Sequence, residues 1–212
     1  MTKQGGHKWF AAFYDRLADS ADRSFMGAVR LDVAGGASGR ILEIGAGTGA
    51  NFLYYAEHVD DVVATEPDPF MLRRAILRAQ AIQHPIAIEQ ARAEDLPFRD
   101  ACFDTVVSTL VLCSVQDPAM ALSEIRRVLK PGGEFRFYEH VRYHHAIGGF
   151  FQNMVTPVWR WAGAGCHPNR DTTRLIRQAG FRLKQLDESK PLPPLPPMAF
   201  VRPHIKGVAV AP

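Results

Sequence analysis

Glu43-Ile-Gly45-Ala46-Gly47-Thr-Gly49 places a carboxylate two residues ahead of three glycines spaced GxGxG, and a second acid, Glu66, follows seventeen residues after the last glycine. Glycines at that spacing let the chain turn sharply out of a strand and let a ligand come close to the backbone. An acid at the tip of the next strand accepts hydrogen bonds from a ribose hydroxyl pair. Together they describe an adenosine site at the carboxyl edge of a parallel sheet. Glu43 narrows the cargo. A dinucleotide would set two negative phosphates over the loop, and its usual pattern is GxGxxG with no carboxylate upstream. S-adenosylmethionine has no phosphate and carries a positive sulfonium and ammonium, so a nearby carboxylate suits it. A glycine turn with no ligand would leave Glu43, the glycines and Glu66 to be explained one by one.

Methyl transfer needs an aligned acceptor and, for a weakly acidic one, a base. His140 is the candidate, because it follows an apolar segment whose carboxyl end lies on the edge where open parallel sheets bind ligands. A structural histidine is the competing reading. His144, His145 and His167, with Glu139, raise the question of a metal, but their spacing fits no standard ligand set and none is expected. Cys113 reads as a small buried residue rather than a nucleophile. Residues 142–170 lack strand character and hold Phe150, Phe151, Trp159 and Trp161. Such a segment forms a lid or an apolar acceptor pocket, or else its rings complete the core. Tyr14, on an expected N-terminal helix, either caps a sulfonium with its ring, a contact worth about 1 kcal/mol, or packs inward.

Elements able to position these residues follow from the pattern. Arg40 to Ile44 and Val62 to Glu66 are short apolar runs that stop at the glycines and at Pro67, so both read as strands. Phe70 to Ile82 and Ala119 to Leu129 carry apolar residues at helical spacing. Phe103 to Val111 and Glu134 to Glu139 are further strands, with Pro131-Gly-Gly133 ending the helix between them. Asp171 is the expected N-cap of a helix over Thr172 to Ala179, closed by Gly180. Phe181 to Leu186 and His204 to Val210 read as two antiparallel edge strands. The proline-rich Pro191 to Pro197 between them is a stiff connection rather than a docking motif. Strands alternating with helices imply a parallel sheet covered on both faces.

With 212 residues, 47% of them hydrophobic and 22% charged, the chain suits one globular domain rather than a disordered or fibrous one. A net charge of +3, spread along the chain, gives no footprint for nucleic acid. Three cysteines, with no CxxC pair, suit a reducing compartment such as the cytoplasm. No apolar run reaches the ~20 residues of a membrane span, and the N-terminus lacks the apolar stretch of a secretory signal.

Two sets of motifs then resemble known proteins. Ala93-Glu94-Asp-Leu-Pro-Phe98, Phe103-Asp104 and Arg127-Val-Leu-Lys-Pro-Gly-Gly133 are similar to class I S-adenosylmethionine-dependent methyltransferases of the ubiquinone/menaquinone-biosynthesis type. Gly47-Thr-Gly-Ala-Asn-Phe52, Thr109 to Val115, Glu139-His-Val141 and Val201-Arg-Pro-His-Ile205 resemble the methyltransferase-like thiol S-methyltransferases. The chain lacks the hydrophobic N-terminal anchor of those relatives, so membrane attachment is not implied. It has Arg92 where the ubiquinone type shows an aspartate, which leaves backbone around Ala93 and Glu94 to read the adenine. The resemblance implies that Glu43, Gly45, Ala46, Gly47 and Gly49 serve the methionine side and the turn. It further implies Glu66 on the ribose, Pro67 beside the adenine and Thr109 near the amino group. The expectation is an α/β, Rossmann-like, doubly wound sheet of seven strands, mostly parallel with the last antiparallel. It forms a single domain over 1–212, with 1–35 as a helical cap and 142–170 as the lid or acceptor segment. The expected activity is methylation of a small apolar acceptor, with thiol sulfur ahead of a phenolic or hydroxyl oxygen served by His140 as base. Substrate contacts fall to Tyr14, Phe150, Trp159 and Trp161, and S-adenosylhomocysteine is the product. Two readings from other classes stay open: an NAD-dependent oxidoreductase and a non-catalytic cofactor-binding subunit. Oligomeric state is not indicated.

Overall fold

The computed structural model describes residues 25–212 apart from 57, 58, 60, 83, 84, 164 and 193–197. In chain order the elements are α1 (Gly27–Val33), β1 (Arg40–Ile44), β2 (Asp61–Thr65), α2 (Pro69–Gln80), β3 (Ile86–Glu89), β4 (Phe103–Thr109), α3 (Pro118–Val128), β5 (Leu129–His140), α4 (Ala146–Ala162), α5 (Thr172–Gln178), β6 (Arg182–Ser189) and β7 (His204–Val210). Short 3-10 turns at Phe52–Tyr54 and Met198–Val201 complete the set.

The sheet has seven strands in the order β3-β2-β1-β4-β5-β7-β6. β1 lies parallel between β2 and β4, with Leu42 level with Val63 and Val106. β5 continues the parallel set beside β4, and β7 runs antiparallel to both β5 and β6. The last strand in sequence is therefore antiparallel, as expected, but it is inserted between β5 and β6 and is not an edge. β3 occupies the other edge in a stretch with too short an apolar run to be read as a strand. Strand side chains alternate between the faces, so consecutive residues feed two cores. Leu42, Val106, Phe135, Leu122, Ile125 and Ile176 pack on one side. Ile41, Val62, Val107, Tyr138, Val33 and Phe52 pack on the other.

Local chemistry starts each helix near the site. Asp68 and Asp117 precede Pro69 and Pro118, and each carboxylate accepts two backbone N–H bonds of the first turn, at 2.8 and 3.1 Å and at 3.0 and 3.0 Å. Such caps contribute about 1 kcal/mol each. Asp171 caps α5 through Arg174 N at 3.1 Å. Two expectations shift. Pro131-Gly-Gly133 does not close α3, which ends at Val128. It sits instead in an irregular start of β5, where the pairing with β4 slips and Gly132 takes a φ of +76°. Residues 142–170, read only as lacking strand character, are largely helical: α4 runs for 17 residues despite Gly148, Gly149 and an internal Pro157.

Candidate active site

Where β1 ends, the glycine loop is pinned to the tip of β2. Ala46 N donates to Thr65 O at 2.9 Å, and Gly47 N donates to Glu66 Oε2 at 2.8 Å. Glu66 Oε1 accepts from Asp68 N at 2.8 Å, so one carboxylate ties the loop to the β2 turn. Burial raises its pKa, against the pull of those two N–H donors. Gly45 and Gly47 both have positive φ, +58° and +59°, for different reasons. A methyl group on Gly45 would lie 2.7 Å from a Val111 side-chain carbon, whereas one on Gly47 would meet nothing within 4 Å. Gly45 is a packing requirement, and Gly47 borders open space. Gly49 is backed by Phe52.

Glu43 lies beneath that loop, 2% exposed. Asn51 Nδ2 donates to its Oε1 at 2.9 Å and Tyr55 OH to its Oε2 at 2.7 Å. Arg30 Nη1 donates to Asn51 Oδ1 at 2.6 Å, and Asn51 Nδ2 also reaches Thr109 Oγ1 at 3.0 Å. Burial pushes the Glu43 carboxyl up to about 7, with Tyr55, Arg30 and Asn51 pulling the other way. Both Glu43 oxygens are engaged in these bonds, and Asn51 links the carboxylate to Thr109. Arg30, Asn51 and Tyr55 escaped the sequence reading, although Asn51 stands beside the glycines.

Toward β3, Pro67 is exposed and its carbonyl accepts from Gln90 Nε2 at 3.2 Å. Ala93 is buried. Glu94 Oε1 accepts from Arg92 Nη2 at 3.2 Å, Gln116 N at 2.8 Å and Asp117 N at 3.3 Å. Burial alone would raise the Glu94 pKa, but these bonds outweigh it and hold the carboxyl below its usual range. Its side chain fastens the loop after β3 to the start of α3.

At the neighbouring strand tips the chain is strained and cross-tied. Leu110 follows β4 with a φ of +60°, unusual for a branched side chain. Glu139, fully buried, accepts from Ser108 Oγ at 2.7 Å and from the amides of Val111, Leu112 and Cys113 at 3.0, 2.9 and 3.1 Å. That carboxylate shapes the 110–113 turn. Arg170 donates to the carbonyls of Leu112 and Val115, and His167 N donates to Cys113 O at 2.7 Å, which docks the segment after α4 onto the same turn.

His140 ends β5 inside this construction. Its Nδ1 is 3.6 Å from Cys113 Sγ and 3.6 Å from Cys166 Sγ, and its ring packs on His204 at 4.4 Å between centroids. Burial, with His140 alongside, pushes the His204 pKa down to about 3, so that ring is neutral. The neighbouring Cys166, with burial, raises the Cys113 pKa, while Cys113 and then His140 lower that of Cys166 against its burial. Cys113 is buried as expected, against the His140 ring. Cys166 was missed altogether, since no spacing rule links it to a cysteine 53 positions away.

α4 sorts the aromatic residues onto two faces. Gly149, Gln152 and Thr156 are buried, with the Gln152 amide bonded to the carbonyls of Val141, Pro168 and Phe200 at 3.2, 2.8 and 2.9 Å. Trp159 continues that face, and its Nε1 is buried. Phe150, Phe151 and Trp161 lie on the outward stripe, 61%, 51% and 87% exposed. Phe150 and Trp161 thus lie on the face away from Trp159, since at 100° per residue Trp159 and Trp161 point to opposite sides. Tyr14 lies outside the described residues. The histidines weighed as metal ligands make other contacts. His144 pairs with Glu188 at 3.1 Å on the surface, and His145 caps α4 through Gly148 N at 3.0 Å.

The open space at Gly47 and the two acids below and beside it fit a cationic, phosphate-free nucleoside, and comparisons with known proteins agree. The family described as Methyltransferase domain matches residues 42–137. The thiol S-methyltransferase TMT1B of Homo sapiens is 39% identical over 183 residues, covering 82% of this chain and 72% of the relative. The thiol S-methyltransferase TMT1A of Homo sapiens is 34% identical over 215 residues, covering 96% and 86%. A crystallised S-adenosylmethionine-dependent methyltransferase of Methanosarcina mazei aligns with a TM-score of 0.64 at 20% identity, over 81% of this chain and 92% of its own, a likeness of fold alone. The chain belongs to the S-adenosylmethionine-dependent methyltransferases, the family that includes these thiol S-methyltransferases.

Proposed function

We propose that this methyltransferase acts on the sulfur of a small apolar thiol. The observation that carries the reading is the division of one sheet edge. The glycine loop, Glu66 and the turn at Pro67 occupy the tips of β1 and β2, and His140 with two cysteines occupies the adjacent tips of β4 and β5. S-adenosylmethionine supplies a methyl carbon already activated by its positive sulfur. Glu66 would hold the ribose hydroxyls, Gly47 permits the close approach, and the backbone around Ala93 and Glu94 reads the adenine. Thr109 and Asn51 bring the influence of Glu43 to the methionine side. Trp159 and the 110–113 turn keep water from the acceptor half. Orientation is the main contribution asked of the protein. Ionising a thiol of pKa near 8.5 costs about 2 kcal/mol at pH 7, and a phenol near 10 about 4, so a thiol needs less of a base. The relatives' names favour the same acceptor.

An O-methyltransferase with His140 as base is the second reading, favoured by the position of that ring at the β5 tip. Its Nδ1 faces the two sulfurs, so the base would be Nε2. Among the described residues no helix is long and apolar enough to cross a membrane, and all three cysteines are unpaired. A reducing compartment, the cytoplasm, is the proposed location, and 1–212 the proposed single domain.

A homocysteine-release screen across thiols, phenols, quinones and amines tests the proposal. The highest kcat/KM belongs to an apolar thiol. Turnover of phenols alone would overturn it in favour of the second reading, especially if His140→Ala slows phenols more than thiols. Binding of S-adenosylhomocysteine without any turnover would indicate a non-catalytic subunit, and binding of NAD in its place an oxidoreductase.

A further inference from the structure

Three side chains from distant parts of the chain converge where the acceptor half of the edge begins. Cys113 comes from the turn after β4, His140 from the tip of β5, and Cys166 from the segment after α4. Their donor atoms all lie within 4.8 Å of one another, the one such group among the described residues. We propose that Cys113, His140 and Cys166 bind a zinc-like divalent cation and leave a fourth position for a thiol sulfur.

The geometry suits that ion. A tetrahedral centre with metal–sulfur bonds of about 2.3 Å and a metal–nitrogen bond of about 2.05 Å has sulfur–nitrogen edges of about 3.6 Å. Both sulfur–nitrogen separations here are 3.6 Å. Cys113 and Cys166 are 1% and 6% exposed, and His140 is half-buried, so the side open to a ligand is that of the imidazole. Three protein ligands with one open position is the catalytic rather than the structural arrangement.

The surroundings hold the ligands in place. Cys113 N is bonded to Glu139 and its carbonyl to His167 N, and Cys166 N is bonded to Gly163 O at 3.0 Å. His140 is packed against His204, 4.4 Å between ring centroids. A second feature points the same way. The Trp159 indole N–H is buried with no hydrogen-bond partner and lies beside Gly163, whose carbonyl accepts from Cys166 N. A buried N–H left open in this way suits the outer-layer support usual around coordinated thiolates. Two thiolates and a neutral imidazole cancel a 2+ charge, which removes the penalty of burying two anions.

The fourth position deepens the function proposed above and rests on that reading. An acceptor thiol that coordinates gives its proton to solvent and stays nucleophilic at neutral pH. It then takes the methyl carbon. The donor's carbon–sulfur bond breaks with its electron pair left on the donor sulfur, which becomes neutral. The products are a thioether, S-adenosylhomocysteine and the released proton, with no change of oxidation state. A neutral thioether is a weaker ligand than a thiolate and departs.

Cobalt(II) is the probe. The full chain is purified under reductant, stripped of metal, and titrated with cobalt chloride and then zinc chloride. About one cobalt per chain should give thiolate-to-cobalt charge-transfer absorption and the visible bands of a tetrahedral centre, both erased by one equivalent of zinc. Cys113→Ser and Cys166→Ser should each weaken cobalt binding by more than about 100-fold, beyond the effect of losing an outer-layer partner, while S-adenosylhomocysteine binding by calorimetry shows the variants folded. Trp159→Phe should weaken it by about 10-fold. An alkyl thiol should shift the visible bands, and the matching alcohol should not. Cobalt uptake no greater than that of the double serine variant overturns the site, as does a Cys113–Cys166 disulfide in the reduced, metal-exposed protein. Tetrahedral bands that no thiol shifts overturn the open fourth position. Undiminished thiol methylation by metal-free enzyme overturns this inference and leaves the thiol acceptor standing, whereas an intact cobalt site in a protein that methylates only phenols does the reverse.

Discussion

Replacing Glu43 with Gln removes a buried ionisable group at almost constant shape, and its effect on stability should depend on pH in a calculable way. The side chain is 2% exposed, and its pKa rises from 4.5 to about 7 in the fold, first through burial. A folded pKa above the unfolded one means that the contribution is fully present below about pH 4.5, where both states hold the proton, and fades as pH rises through about 7. The gap of about 2.5 pH units, at 1.36 kcal/mol each, amounts to a loss on the order of 3 kcal/mol. About 2 kcal/mol of that falls between about pH 5.5 and about pH 8.5, by the same linkage relation. Gln cannot titrate, and it keeps an oxygen for Asn51 and an N–H for the Tyr55 oxygen, so the variant should lack this slope. The assay is urea unfolding of both proteins, without cofactor, at the two pH values. The wild type should lose about 2 kcal/mol more than Glu43→Gln, or about 4 to 8 °C in Tm. Parallel pH dependence in the two proteins would refute the reasoning and show that Arg30 and Asn51 keep Glu43 ionised at its ordinary pKa.

Other outcomes follow from the same site. Glu66→Ala should weaken S-adenosylhomocysteine binding by about 1 to 3 kcal/mol in calorimetry, and unchanged affinity would remove the ribose contact. Glu139→Ala strips the acceptor from the Ser108 hydroxyl and three backbone amides, so urea unfolding should show a loss of at least about 3 kcal/mol; a loss under 1 would mean that the 110–113 turn does not depend on it. Phe150→Ser and Trp161→Ser should change stability by less than about 0.5 kcal/mol and leave the acceptor KM alone, because both rings are exposed, and a raised KM would return them to the pocket.

What could be read from the linear chain was whatever local physics encodes. Short apolar runs marked β1, β2, β4 and β5, the first two stopping at glycine and at proline, and Asp171 ahead of a periodic segment marked α5. The glycine spacing with Glu43 and Glu66 identified a phosphate-free adenosine site, since charge sign and backbone clearance are properties of those residues themselves. α4 stayed hidden because Gly148, Gly149 and Pro157 are poor helix formers, and tertiary packing through Gln152 overrides them. Which way Trp159 and Trp161 face depends on that helix existing at all. The insertion of β7 between β5 and β6 is a choice among pairings that leaves no local trace. The meeting of Cys113, His140 and Cys166 is tertiary in the strictest sense. It requires Glu139 to bend the turn after β4 and Arg170 to grip two carbonyls of that turn, so the chemistry of three unremarkable positions arises from hydrogen bonds that span up to 58 residues.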